Sequence, residues 1–260
     1  MNVRNVGLIL GRELKSYFSS LTVYIVIVVF LLMTGYFFYN LLAGFSMLSV
    51  QAQADPMLAR QYQLLNINET VIRPLFGSIS IILLAMTPLL TMRLFAEEKK
   101  TGTIELLLTF PVNDIEVVIG KYLACLSVLL AMIALTLTFP ALVIGLGQPE
   151  VKPIVTGYLA LVLLGAAAIA LGIFCSSLTE NQIVAASISF GMLFFFWLIS
   201  YSVPLVSPGL GQFLSYLSIN EHIASLSKGV IDTEDVIYYV CFIVLFLFLT
   251  LRSLETNRWR

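Results

Sequence analysis

Side chains able to do chemistry are gathered in one passage, from Arg93 to Lys121. There Glu97, Glu98, Lys99 and Lys100 follow one another, and Thr101-Gly102-Thr103 separates them from Ile104-Glu105-Leu106-Leu107-Leu108. It is the only long charged passage in a chain that is 59% hydrophobic and 11% charged. Thr103 is placed to cap a new helix, and Glu105 would sit at its positive end. Ile104 and Leu106 to Leu108 supply an apolar face. Pro111 ends the helix, because the residue before a proline is pushed out of the helical region. Asn113 with Glu116 three residues on reads as a capping pair for the next helix. The passage therefore predicts a short helix set crosswise between two long ones, polar on one side and leucine-rich on the other. Its chemistry is contact.

Reactive constellations are missing from the rest. No Asp, Glu, Lys, Arg or His lies near the middle of an apolar run, as ion and proton relays require. His-Glu-x-x-His does not occur, nor do paired aspartates or a serine with a histidine partner inside a span, which excludes the usual intramembrane proteases. The phosphate-cradling Gly-x-x-x-x-Gly-Lys-Ser/Thr loop is absent too, so ATP would have to be handled by another polypeptide. The reading is a non-catalytic chain with no metal site and no cofactor of its own. Net charge is −1, without a basic stripe interleaved with aromatics, which argues against nucleic acid.

A mean hydropathy of +0.98 over 260 residues, with apolar runs of about 20 residues, marks membrane-spanning helices. The expectation is one all-α membrane domain over 1–260. Its six spans are placed at 21–43, 75–92, 117–144, 155–178, 183–203 and 236–251. Ahead of them, Val3, Val6, Leu10, Leu14 and Tyr17 recur at helical spacing, with Arg4, Arg12, Glu13 and Lys15 off that stripe. The pattern suits a helix over 1–20 lying in the interface, and equally a plain extension of the first span. The first apolar run is too long for a cleaved signal and lacks a small-residue cleavage site.

Asp55-Pro56 predicts a short helix over Met57 to Leu65, outside the membrane. Asn68-Glu69-Thr70 matches a glycosylation sequon, a weak signal on its own. Pro88 is expected to kink the second span. Ala168, Gly172 and Ser176 form a small-residue stripe on the fourth, permitting close helix contact. Cys125, Cys175 and Cys241 fall inside spans and read as small buried hydrophobes. Between spans five and six, Val203 to Asp235 is half apolar. Either two short helices dip into the outer leaflet, or a surface loop packs over the bundle. His222, the sole histidine, is expected to be solvated there.

Lys and Arg are unevenly divided. Ten lie at the N-terminus, the central passage and the C-terminus (Arg4, Arg12, Lys15; Arg93, Lys99, Lys100, Lys121; Arg252, Arg258, Arg260), and four on the other side (Arg60, Arg73, Lys152, Lys228). The positive-inside rule puts both termini and the central passage in the cytoplasm, in agreement with an even number of spans.

Glu-x-x-x-Thr-Gly-Thr-x-Glu-x-Leu-Leu, followed by Pro111 and by Gly120-Lys121, resembles the coupling-helix region of type-2 ABC export permeases. Near the C-terminus, Lys-Gly-Val-Ile-Asp-x-x-Asp-Val-x-Tyr-Tyr and Leu-Arg-Ser-Leu-Glu-x-x-Arg-Trp resemble the gliding-motility-type branch of that family. The resemblance covers nearly the whole chain. It implies a bacterial inner-membrane permease with an N-terminal interfacial helix, a cytoplasmic coupling helix between spans two and three, and short outer helices before span six. It also implies ABC ATPase subunits that bind ATP and Mg, a second permease chain (homo- or heterodimer) and surrounding lipid. A companion membrane protein with a large external domain belongs to the branch. Contact with the ATPase would fall to Glu97, Glu98, Lys99, Gly102, Thr103, Glu105, Leu106, Leu107 and Pro111, with the leucines in a groove and the charges at its rim. Spans two and five would line a pathway, placing Phe194, Trp197 and Tyr201 along it. The function so implied is ATP-driven export. An alternative of the gliding-motility type is mechanotransmission or assembly with nothing passing through the bundle.

Overall fold

A computed structural model describes residues 2–54, 66–103, 113–146 and 149–258, and every described element is helical. In chain order they are α1 (Val3–Ser19), α2 (Leu21–Ala54), a π-helical turn (Asn68–Ile72), α3 (Arg73–Thr91), α4 (Arg93–Lys100), α5 (Asp114–Thr136) and α6 (Thr138–Leu146). There follow α7 (Val151–Leu178), α8 (Gln182–Ser202), a 3₁₀ turn (Val203–Leu205), α9 (Pro208–Leu217), α10 (Ile219–Leu226) and α11 (Thr233–Arg258). Six stretches are long and apolar enough to cross a membrane: Leu21–Gln51, Asn68–Lys100, Asp114–Gly145, Val151–Leu178, Gln182–Leu205 and Thr233–Thr256. The all-helical, six-span expectation holds, with longer elements than the apolar runs alone marked. Thus α2 continues past Ala43 to Ala54, because Met47, Leu48, Gln51, Ala52, Gln53 and Ala54 are good helix formers.

The bundle is built around α7. In its apolar window 78% of residues are buried, against 22% for α8 and for α11, so α7 is the core and the others are its shell. It touches α3, α4, α5, α8, α10 and α11. Small residues make the approach possible. A Cβ on Gly157 would stand 2.1 Å from the Phe76 ring, one on Gly165 2.6 Å from Leu129 and one on Gly172 2.2 Å from Thr91 Oγ1. Such distances leave room for no side chain, so these contacts require glycine.

Two prolines interrupt their spans in different ways. Pro140 has no N–H for the Thr136 carbonyl, and the buried Tyr158 hydroxyl donates to that carbonyl at 2.9 Å instead. The helix breaks there, between α5 and α6. Pro88 precedes the break at Met92, where α3 gives way to α4.

Several expectations change. The stripe expected to face lipid packs on α5 instead: Val6 and Tyr17 are buried, with Glu13 beside them, while Val3 is exposed. Glu13 turns inward because a lysine waits there. Asn113 opens α5 without a side-chain cap. Glu116 reaches back to the Asn113 N–H, as the capping pair requires, and also accepts hydrogen bonds from the Asn2 N–H and the Asn5 amide of α1. Asn68 of the sequon is buried in the π-helical turn, so its amide is not presented at a surface. Cys125 and Cys175 are buried, whereas Cys241 is on an exposed face of α11. The helix expected over Met57 to Leu65 lies outside the described residues.

His222 is buried, not solvated. Its Nδ1 lies 2.6 Å from Asp235 Oδ1, its Nε2 3.2 Å from the Tyr216 carbonyl, and its ring stacks on Tyr238 at 4.0 Å. Ser225 donates to the other oxygen of Asp235. With Tyr238 and Tyr239 donating to the carbonyls of Leu217 and Ile219, these bonds pin α9 and α10 to the start of α11. Both short helices expected between spans five and six are therefore present.

Candidate functional site

The geometry of the charged passage starts from the break at Met92. A helix beginning afresh there has orphan N–H groups in its first turn. One hydroxyl from another helix meets them. Ser176 Oγ, near the end of α7, accepts from the N–H of Phe95 and of Ala96, both at 3.1 Å, and donates to the Met92 carbonyl at 3.0 Å. This uses the full capacity of a hydroxyl, one donor and two acceptor sites. Next to it the Ser177 carbonyl accepts from Lys99 Nζ at 2.6 Å and from Ser253 of α11 at 3.2 Å. The C-terminal end of the core helix thus fixes the direction in which α4 leaves the bundle.

At its far end α4 closes on Gly102, whose φ of +70° lies in the left-handed region, the usual helix-terminating conformation for glycine. The Gly102 N–H reaches the Lys99 carbonyl at 3.2 Å. Thr103, itself helical, donates its hydroxyl back to the Glu98 carbonyl at 3.3 Å, so it serves the end of α4. Glu105, Leu106, Leu107 and Pro111 lie outside the described residues.

Between α4, α1 and α5 is an ion cluster. Lys121 is 1% exposed, and its ammonium donates to Glu98 Oε1 at 2.8 Å and to Glu13 Oε1 at 3.1 Å. Arg12 joins both carboxylates from the solvent side, at 2.7 Å and 3.0 Å. Phe95 lies under the ammonium, its ring centre 5.2 Å away. The cluster locks α1 to α4 and α5. Close approach of α1 needs Gly120, where a Cβ would stand 2.7 Å from Ile9 Cγ2. Burial pushes the Glu13 carboxyl up, but Lys121 and the Arg12 hydrogen bond more than offset this and hold it below its ordinary 4.5. A depressed carboxyl stabilises the fold above its unfolded value, and that contribution disappears as pH falls through the folded value. We therefore expect the thermal midpoints of wild type and Glu13→Gln to differ at pH 7 and to converge as pH drops below 4.5. A gap unchanged down to pH 3 would remove the ionised role.

The start of α1 and the end of α11 lie at this end of the bundle, since the Asn2 N–H reaches Glu116 and Asn113 and Asp114 share a hollow with Arg252 and Glu255. Among the described residues no group of His, Cys, Asp and Glu is arranged to hold a metal.

The family model described as ABC-2 family transporter protein matches residues 8–259. The chain belongs to the ABC-2 transporter family. No curated protein matches it. It is accordingly a multi-pass membrane permease component of an ABC transporter, of a family in which ATP hydrolysis resides in a separate chain and permeases pair as dimers.

The permease brings some expected site residues together and spends others. Glu98 and Lys99 are engaged within the chain, while Glu97 and Lys100 remain exposed. On α8, Phe194, Trp197 and Tyr201 form one ladder with Phe190. Successive ring centres are 5.7, 5.4 and 5.0 Å apart. Phe194 and Tyr201 are exposed on the outside of the single bundle. Glu13, Arg12, Ser176 and Ser177 complete the site without any local signal, because each acts on a residue far away in sequence. Only Gly120-Lys121 hinted at it, as an early charge inside an apolar run.

Proposed function

We propose that this permease is the membrane subunit of an ATP-driven exporter, with the segment Glu97 to Pro111 receiving the push of a separate ATPase chain that binds ATP and Mg. The observation that carries this reading is the cluster of Lys121, Glu98, Glu13 and Arg12 together with the Ser176 clamp. Force applied to the segment after Gly102 passes through α4 directly into the core helix α7, the interfacial-type helix α1 and the start of α5. A second copy, or a related permease chain, completes the pathway. The aromatic ladder on α8 supports a path-lining or pairing role for Phe194, Trp197 and Tyr201. The whole chain acts as one transmembrane domain in a bacterial inner membrane, with both termini cytoplasmic as the ten-to-four division of Lys and Arg indicates.

A second reading rests on the same apolar bundle: a mechanotransmission or assembly complex of the gliding-motility type, with a companion membrane protein bearing a large external domain. Spans without charged residues near their middle favour it. ATPase activity of the reconstituted complex separates the two, since only an exporter is stimulated by its substrate. Orientation is tested by single cysteines. Those at positions 53 and 212 are expected to react with an impermeant maleimide on intact cells, and one replacing Thr101 only after permeabilisation. Labelling at 101 from outside would overturn the orientation and the ATPase contact with it.

A further inference from the structure

A cavity of about 420 Å³ lies beside the ion cluster, bounded by α1, the beginning of α2, the end of α3, and α4. That is within the range of small-molecule sites, about 300–1,000 Å³. Val23, Val26 and Leu90 line an apolar wall, and Arg93, Glu97 and Glu98 a polar one. Ser16 and Leu89, both exposed, stand at its rim.

Its charges are balanced as a whole and unbalanced in place. Three cations (Arg12, Arg93, Lys121) face three carboxylates (Glu13, Glu97, Glu98). Arg12 and Lys121 are consumed by Glu13 and by Oε1 of Glu98. Arg93 has no carboxylate partner among the described residues. It donates through Nη1 to Ser20 at 3.1 Å and through Nη2 to Thr22 at 2.9 Å, and its buried Nε–H has no acceptor. Glu98 Oε2, also buried, has no donor. Two residues lining one cavity therefore carry an unanswered guanidinium donor and an unanswered carboxylate acceptor. Buried groups of this kind are ordinarily partnered.

We propose that this cavity binds a zwitterionic headgroup carrying a phosphate and a primary ammonium, that is, an aminophospholipid of the ethanolamine type. The phosphate meets Arg93 Nε and the hydroxyls of Ser20 and Thr22. The ammonium donates to Glu98 Oε2, with Glu97 adding negative charge nearby, and the glycerol and upper acyl chains lie on Val23, Val26 and Leu90. A purely anionic headgroup would leave the carboxylate unanswered. A choline headgroup has no N–H to give it. The cavity sits where the amphipathic α1 turns at Ser20 into the first span, the level at which lipid headgroups are found.

The test is native mass spectrometry of the full chain in detergent with dioctanoyl phosphatidylethanolamine, phosphatidylcholine and phosphatidylglycerol. The ethanolamine lipid is expected to occupy one saturable site about tenfold more tightly than the other two, the usual effect of one buried acceptor left unpaired. Glu98→Gln should erase that preference, and Arg93→Gln should weaken both zwitterionic lipids. Ser16→Trp closes the rim while leaving the charges untouched, and should abolish the site in a protein whose thermal midpoint is unchanged. Soluble glycerophosphoethanolamine is expected to compete only at far higher concentration; competition at equal concentration would overturn the lipid assignment. Equal binding of all three lipids, or binding indifferent to both Arg93→Gln and Ser16→Trp, would overturn the site.

Discussion

Replacing Leu106 and Leu107 together by Asp is expected to abolish recovery of the ATPase chain with this permease. The two leucines stand between Thr103 and Pro111 in the sequence. If both enter a groove on the partner, each contributes about 1.5–3 kcal/mol by apolar burial. The Asp pair forfeits about 3–6 kcal/mol of burial and adds the desolvation of two carboxylates, a weakening of more than a hundredfold that a reversible complex does not survive in a pull-down. Insertion and pairing of the bundle should continue, because the segment lies outside the spans. The measurement is pull-down of the co-expressed ATPase, with a protease-protection control for correct insertion. Normal recovery would end the contact proposal for this segment.

Lys121→Met is expected to give the largest loss within the permease itself. Lys121 is almost wholly buried between Glu13 and Glu98. Without the ammonium those carboxylates face each other with only Arg12, whose side chain is half exposed, to separate them. Removing one partner from a buried ion group costs about 3–5 kcal/mol. Arg12 reduces this to the lower end, for a thermal midpoint lower by roughly 6–12 °C in a chain of this size. Replacing Glu13 and Glu98 by Gln in the same molecule should restore part of the loss, because the uncompensated charges go with them. The functional consequence is distinct from that of the leucine variant. ATPase recovery should persist, while its stimulation by the permease falls, because α1 and α5 no longer follow α4. Full stimulation in a destabilised Lys121→Met protein would show that the cluster only holds the fold together.

Glu98 shows why surface readings of a charged run can mislead. By sequence alone, Glu97 to Lys100 is one hydrophilic stretch available to a partner. In the fold, alternate sides of a single helical turn meet different surroundings. Glu98 turns to Lys121 and Lys99 to the Ser177 carbonyl, while Glu97 and Lys100 stay outward. A single turn of helix is enough to divide four adjacent charges between a structural task and an exposed one.

The spans, their number and the division of basic residues were legible in the sequence because hydrocarbon imposes a length and a polarity that each segment must meet by itself. The break near Pro88 and the close-packing face of the fourth span were legible for a similar reason, since proline and small residues act on their own helix, whereas the half-apolar passage before the sixth span left short helices and a packed loop equally open. What answers those local features was decided by tertiary structure. Tyr158 takes the carbonyl that Pro140 leaves free, Ser176 caps the helix that follows the Pro88 break, and Glu13 meets Lys121 across 108 positions of sequence. The sequence around His222 points to a solvated side chain because its partner, Asp235, stands on another helix. A hydrogen bond or ion pair between distant residues leaves no periodic trace in either segment, and only the packing of α1, α4 and α5 around the end of α7 brings these groups within reach.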